Sequence, residues 1–463
     1  DLVVAKSEQP FAGVAIHDLD RDGRPDIVAT SGTGVRLMRQ TGELKFEDQT
    51  KAWGLDGIEA KSVSIADVDA DGQPDLLFGT ALYLNKGSEF MGAPLPATPP
   101  VGNLKVSTFA DLNGDGFPDI LLSIKAGGLR AFLNPGKPGG AFEEVTQKIG
   151  LGVEPDGDGY VTLGDWNLDG RIDLFYSVGK GILLLQSGEG TFSPSDQNIY
   201  FNFKGGPDQE SGLTGAGTFA PIWRDETLDL IVPEDSRVTL ATSSPKGPVS
   251  VTGYGNEIAL AASSQAATLA HDLDMDGYVD LFSISRDPAG QNSYHTNRGY
   301  GSFMKSELYQ PDFFPRKSYK TGAGGVSVGD LNGDGADDLL IGGLDGRLVI
   351  VLNDALSIRQ EAEHPIYHLA QLMKTGIVSV QVARARGSYG ARCTVRNAAG
   401  ELVAHRFSNH PVLTGCGGPA TLNIAVRDPG PYELEVNFTD GKAMTFPFEI
   451  KAGERTMLRV DEE

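Results

Sequence analysis

The sequence predicts an all-β protein, a seven-bladed β-propeller followed by a small β-sandwich domain. Three observations carry that expectation. An acidic nine-residue string recurs in register, apolar residues fall in short runs divided by turns, and 60 glycines and 26 prolines among 463 residues favour tight turns over long helices.

The recurring string is Asp-x-[Asp/Asn]-x-Asp-Gly-x-x-Asp, beginning at Asp18, Asp67, Asp111, Asp165, Asp272 and Asp330. Successive starts are 49, 44, 54, 107 and 58 residues apart, so one degenerate unit belongs in the long gap. It is visible at Trp223 to Ile231, where Asp229 and the apolar run after it survive and the acidic loop does not. Each unit reads as four short strands: Gly13–His17, Ile27–Thr30, Val35–Arg39 and Lys45–Gln49 in the first. Four strands in a period of about 50 residues is the grammar of a propeller blade, and seven units suffice to close a ring. Leu2–Ala5 has no unit of its own and is expected to supply the outer strand of the seventh blade, covering an otherwise exposed edge.

The repeats end near Asn353, giving a first domain of residues 1–353. In 354–375, Ile358, Ala362, Ile366, Leu369 and Leu372 stand at helical spacing and predict a short helical linker broken at Pro365. Residues 376–463 change to alternation of apolar and polar residues, with strands expected at Val378–Ala383, Ala391–Arg396, Leu402–Arg406, Thr421–Val426, Tyr432–Phe438, Met444–Ile450 and Arg455–Val460.

Oxygen donors at alternate positions suit a hard cation that takes six to eight oxygens, and calcium fits better than magnesium because few waters are needed. The side-chain ligands expected at positions 1, 3, 5 and 9 are Asp18, Asp20, Asp22 and Asp26; Asp67, Asp69, Asp71 and Asp75; and Asp111, Asn113, Asp115 and Asp119. In the later loops they are Asp165, Asn167, Asp169 and Asp173; Asp272, Asp274, Asp276 and Asp280; and Asp330, Asn332, Asp334 and Asp338. Position 7 is expected to offer its backbone carbonyl, which leaves its side chain free to vary as Arg24, Gln73, Phe117, Arg171, Tyr278 and Ala336. Position 6 is always glycine, permitting the turn that aims successive oxygens inward. An EF-hand is excluded because the flanks are strand-like and position 12 is Ala29 or Phe78 rather than Glu.

The formal charge of −23 repels phosphate backbones, so nucleic acid is not an expected partner. About six calcium ions would reduce it to −11, so much of the acidity is ligand charge. No apolar run reaches 18 residues, so no transmembrane segment is expected, and a chain opening at Asp1 without Met reads as processed or trimmed. Cys393 and Cys416 are a candidate disulfide in an oxidising compartment. Nucleophile elbows, Walker loops and His-Glu-x-x-His are absent, and no catalytic residue is assigned. The expected ligand surface lies opposite the acidic loops, where Arg286, Tyr294, His295, Arg316, Lys317, Tyr319 and Lys320 form a basic and aromatic group near two long connections.

The acidic strings resemble those of the FG-GAP/VCBS repeat family, the calcium-bearing blades also present in integrin α-subunit propellers. The tail, through Gly387-Ser388-Tyr389-Gly390-Ala391-Arg392 and Tyr432 to Gly441, is similar to the ASPIC/UnbV domain. Together the modules resemble the cartilage acidic protein family and its bacterial relatives. The resemblance implies an extracytoplasmic, calcium-binding scaffold for protein or glycan recognition and adhesion. A carbohydrate-active lyase or hydrolase and a structural subunit of a secreted assembly are the alternatives.

Overall fold

The computed structural model describes residues 2–96, 104–125, 127–137, 140–152, 159–177, 181–195, 217–223, 227–233, 238–242, 250–254, 265–285, 292–297, 299, 303–305, 322–353, 355, 375–383, 389–407 and 421–461. The linker expected at 354–375 lies almost wholly outside these residues, as do Arg286, Arg316, Lys317, Tyr319, Lys320 and Cys416.

The regular elements among the described residues are all strands. Those up to Val351 form seven four-stranded antiparallel sheets. Sheet one comprises Gly13–His17, Asp26–Thr30, Val35–Gly42 and Lys45–Asp48, paired in chain order, and sheets two to six repeat this meander from Val63, Leu104, Val161, Thr218 and Gln265. The second strand of a sheet is wholly buried, as in Asp26–Thr30 and Asp119–Ile124, whereas the fourth is more exposed, charged in Lys45–Asp48 and largely apolar in Phe90–Ala93. The sequence places Ile, Leu, Val and Phe in the second strand.

Sheet seven runs Ala323–Gly329, Asp338–Gly343 and Arg347–Val351, and its fourth strand is Leu2–Lys6 from the other end of the chain. The register pairs Leu2 with Ile350 and Val3 with Val349, with a bulge before Ala5. Two glycines make room for the segment that follows. A Cβ on Gly346, whose φ is +77°, would stand 2.1 Å from the Ser7 carbonyl oxygen, and one on Gly324 would stand 2.1 Å from that of Phe11.

Apolar clusters join the sheets in sequence. Leu37 and Phe78 belong to one that bridges sheets one and two, Phe109 and Leu77 bridge two and three, and Leu121 and Leu174 bridge three and four. Trp166 and Leu230 join four to five, Ile231 and Leu281 join five to six, and a larger cluster containing Phe282, Leu339 and Ile27 unites six, seven and one.

A second joint is polar. In six of the seven sheets a side-chain amide at the end of the third strand donates to a backbone carbonyl in the turn between the first two strands of the preceding sheet. Asn85 Nδ2 reaches Leu19 O at 2.9 Å, Asn134 reaches Val68 O at 2.8 Å, and Asn353 reaches Leu273 O at 2.7 Å. Gln40 Nε2 reaches Leu331 O at 2.9 Å, so sheet one is tied to sheet seven in the same way.

All seven strands expected in the carboxy-terminal module are present. Gly376–Val382 lies between Thr421–Val426, antiparallel, and Arg455–Val460, parallel. A four-stranded sheet contains Leu402–Phe407, Arg392–Asn397, Gly430–Asn437 and Ala443–Ile450 in that order. Val378, Val380 and Ile424 from one sheet share a core with Cys393, Val395, Leu434 and Val436 from the other.

Candidate metal centres

The six acidic loops connect the first and second strands of sheets one, two, three, four, six and seven. Each is folded by its own first carboxylate. The position 6 N–H donates to Oδ2 of position 1, at 2.9 Å for Gly23 to Asp18 and 2.8 Å for Gly72 to Asp67, with equivalents at Asp111, Asp165, Asp272 and Asp330. The position 7 N–H donates to Oδ1 of position 5, as Gln73 does to Asp71 at 2.8 Å. Position 6 has φ between +83° and +95° in every loop, which requires glycine. Position 4 is also left-handed, occupied by Arg21, Ala70, Leu168 and Met275 as well as by Gly114 and Gly333. Two left-handed residues two apart turn positions 1, 3 and 5 toward a common point.

In the three loops with four carboxylates, the oxygens of positions 1, 3 and 5 meet. Asp18, Asp20 and Asp22; Asp67, Asp69 and Asp71; and Asp272, Asp274 and Asp276 each place three carboxylate oxygens within 4.8 Å of one another. Burial, with the neighbouring carboxylates adding to it, pushes the Asp67 and Asp272 carboxyls up to about 6 and raises Asp18 and Asp274. Asp69 Oδ1 is buried and has no hydrogen-bond partner. Oxygen-only donors, mutual repulsion and an unsatisfied carboxylate oxygen fit a hard divalent cation. In the loops at Asp111 and Asp330, Asn113 and Asn332 instead donate to Asp115 and Asp334, each at 3.0 Å.

Position 9 has a further role. Asp26, Asp75, Asp119, Asp173, Asp280 and Asp338 are buried, and both oxygens of each accept backbone N–H donors. For Asp75 these are Val68 at 2.9 Å and Asn85 at 2.8 Å. Asp229 in the loopless unit accepts from Ile222 N at 3.0 Å, so this residue survives where the rest of the string is lost because it staples the turn.

The positive charges around the loops come from two sources. Arg24 and Arg39 reach Asp20 and Asp22, Lys86 Nζ lies 3.2 Å from Asp69 and 3.4 Å from Asp71, and Arg171 reaches Asp169, all within one sheet. The others arrive from the carboxy-terminal module. Arg392 Nη1 donates to Leu168 O at 3.1 Å, Arg427 Nη2 to Asp276 at 2.9 Å, and Arg455 Nη1 lies 3.1 Å from Asp330. Arg427 also covers the Tyr278 ring, 4.2 Å from its centroid. Between the modules runs a buried polar chain: His271 Nε2 lies 2.8 Å from Asp337 Oδ2, and Asn423 Nδ2 donates to Asp337 Oδ1 at 2.7 Å. Ser379 Oγ donates to Asn423 Oδ1 at 2.6 Å.

The expected ligand surface is corrected in two places. Tyr294 and His295 are not on a surface loop; they belong to the strand Ser293–Asn297, where both are buried, and the Tyr294 hydroxyl donates to Asp280 at 2.8 Å. As consecutive strand residues they face opposite sides of the sheet, and both sides are covered. Cys393 is buried and forms no disulfide among the described residues.

Sequence reasoning missed the amide stitches and Asp337, and both had a signal. An Asn or Gln follows the third strand of six units, at Gln40, Asn85, Asn134, Gln186, Asn297 and Asn353. Position 8 is Pro25, Pro74, Pro118, Ile172 or Val279 in five loops and Asp337 in the sixth.

A model of the FG-GAP-like repeat matches residues 18–78, 111–176 and 272–361, stretches that contain all six acidic loops. No curated protein matches the sequence. Among solved structures it is similar to an Agrocybe aegerita lectin described for specific recognition of non-reducing terminal N-acetylglucosamine, at 16% identity over 64% of this chain and 79% of that one, TM-score 0.46. PorZ, a surface component of the type-IX secretion system of Porphyromonas gingivalis, is similar at 11% identity over 94% of this chain and 58% of that one, TM-score 0.44. The V. cholerae biofilm matrix protein Bap1 is similar at 12% identity over 97% and 63%, TM-score 0.36.

Proposed function

We propose that residues 1–353 are a seven-bladed propeller closed by Leu2–Lys6, and that its six acidic loops hold about six calcium ions. In this reading 354–375 is a linker and 376–463 is an ASPIC/UnbV-like sandwich. The whole is an extracytoplasmic scaffold for recognition of a protein or glycan. Closure is supported by apolar clusters that run from each sheet to the next and from seven back to one, and by amide stitches at six of those seven joints.

The observation that carries the calcium reading is the meeting of three carboxylate oxygens in the loops at Asp18, Asp67 and Asp272. Positions 1, 3 and 5 would hold the ion, with position 9 fixing the turn and facing the same charge. Bound calcium supplies the positive charge that lets these carboxylates remain ionised while buried, and so locks the loops. Recognition is assigned to the connections opposite the loops, where Arg286, Arg316, Lys317, Tyr319 and Lys320 would supply positive charge and aromatic faces to an anionic or glycan surface.

Equilibrium dialysis and thermal unfolding test the calcium reading. At ten times Kd each ion contributes about 1.4 kcal/mol, so six ions raise Tm by about 10 °C over the protein in EDTA. Equal melting temperatures with and without millimolar calcium would refute it. For the surface, Arg316→Glu/Lys320→Glu is expected to abolish binding of the partner captured with calcium present, and unchanged binding would remove the assignment.

A further inference from the structure

We infer that the carboxy-terminal module is a lid that seals three of the six loops, those at Asp111, Asp165 and Asp272, and that it divides the calcium sites into a freely exchanging set and a sealed set. The inference rests on the calcium reading and concerns how that metal is retained.

The two halves of the loop face differ in what covers them. Asp111, Asp165 and Asp272, each a first ligand, are 2% exposed, whereas Asp18, Asp67 and Asp330, at the same position in their loops, are half-buried. The three buried loops are ones the module touches. Tyr389 packs edge-on against Phe109 beside the loop at Asp111, with ring centroids 6.3 Å apart, and the Thr439 carbonyl lies over Gly114. Arg392 lies on the loop at Asp165, Arg427 on the loop at Asp272 and Arg455 on the loop at Asp330. Among the described residues the loop carboxylates at Asp18 and Asp67 receive only Arg24, Arg39 and Lys86 from their own sheets. The loops at Asp18 and Asp330 both open onto a cleft of about 540 Å³ that Thr421, Arg455 and Met457 of the module also line.

The charges favour a lid that stays on when metal is bound. The ligand positions of the loop at Asp165 carry three carboxylates, so a divalent ion leaves about −1, which Arg171 of the same sheet and Arg392 of the module both face. Arg392 and Arg427 are directed to a loop carbonyl or carboxylate, and Arg455 reaches the Gly333 carbonyl while also donating to Ser379 and Asn423 of its own sheet. Asp337 has no counterpart in the other loops, and it joins His271, which adjoins Asp272, to Asn423 of the module. This contact latches the lid between the loops of sheets six and seven. An ion under the lid leaves only after the module lifts, whereas ions at Asp18, Asp67 and Asp330 leave through solvent.

The test is stopped-flow calcium release from the full chain into excess chelator, with total bound calcium measured by equilibrium dialysis. The expected trace has two phases, about half of the calcium fast and half slow. Arg427→Glu and Asn423→Asp, which set carboxylates against Asp276 and Asp337, should accelerate the slow phase about tenfold or more, the effect of one charge-assisted hydrogen bond on an opening equilibrium. Arg427→Lys keeps the charge without the fork, preserves the fold by circular dichroism, and should accelerate it less. Calcium bound but released in one phase, or a slow phase untouched by all three variants, overturns the lid. No bound calcium at all overturns the calcium reading instead.

Discussion

Asn134→Ala isolates the stitch between sheets from the metal chemistry. The side chain is buried, its Nδ2 donates to Val68 O at 2.8 Å and Pro118 O at 3.0 Å, and its Oδ1 accepts from Gly136 N at 3.0 Å. Alanine strands two buried carbonyls and one partly buried N–H. At about 1–3 kcal/mol for each buried polar group left unpaired, and taking the lower half of that range, the loss is about 4 kcal/mol. With the seven sheets unfolding as one cooperative unit of some 350 residues, the unfolding entropy is about 0.7 kcal/mol per kelvin, and Tm falls by about 5 °C. Differential scanning calorimetry in saturating calcium measures this, with dialysis confirming that calcium stoichiometry is unchanged, since Asn134 touches no loop carboxylate except through its backbone N–H to Asp119. Asn134→Asp should be worse, because a buried charge then faces two carbonyl oxygens. A fall of less than 1 °C for Asn134→Ala would show that the stitches do not hold the sheets together.

Other consequences are as direct. Burial pushes the Asp26 and Asp173 carboxyls up to about 7 and those of Asp75 and Asp338 up to about 8, so the folded form prefers them protonated. Stability of the metal-free protein therefore falls as pH rises from 6.5 to 8.5, a window above the range in which buried His17 and His405 act in the opposite sense, and a Tm in EDTA that holds steady or climbs would contradict this. Gly324→Ala puts a methyl 2.1 Å from the Phe11 carbonyl oxygen, with backbone on both sides, and should cost about 3 kcal/mol, read as a Tm lower by about 4 °C; a neutral result would mean that the segment after Leu2–Lys6 is free to move aside. Burial pushes the Cys393 thiol up to about 12, so in reductant at pH 8 peptide mapping should find it unalkylated until the protein unfolds, and rapid native labelling would place it elsewhere.

The repeat was legible because a metal loop must keep its oxygens at fixed spacing and its glycine at fixed φ, constraints that show in any one copy and align across six. The seven strands of the carboxy-terminal module were legible for a similar reason, through alternation and Gly-rich turns. Contacts between modules were not. Arg392, Arg427 and Arg455 reach loops 122 to 227 residues away, and nothing local to an arginine tells which carboxylate it will meet. Tyr294 and His295 misled because a polar aromatic pair beside a long connection looks like surface, although Tyr294 serves to satisfy a buried aspartate. Asp337 was readable as a departure from its own pattern, an acidic residue where five loops place proline or a branched aliphatic.

The pairing of Leu2 with Ile350 bears on how the protein is made. On a ribosome adding about 5–20 residues per second, the first strand emerges some 20–70 seconds before its partner exists. Through that interval the nascent chain carries an unpaired apolar segment at one end and an unfinished edge at the other. An unpaired edge invites mispairing, so a holding chaperone or slow secretion is needed until the last repeat arrives. Circularly permuted versions that begin at Gly13 and append residues 1–12 after Asn353 would shorten that wait to a fraction of a second.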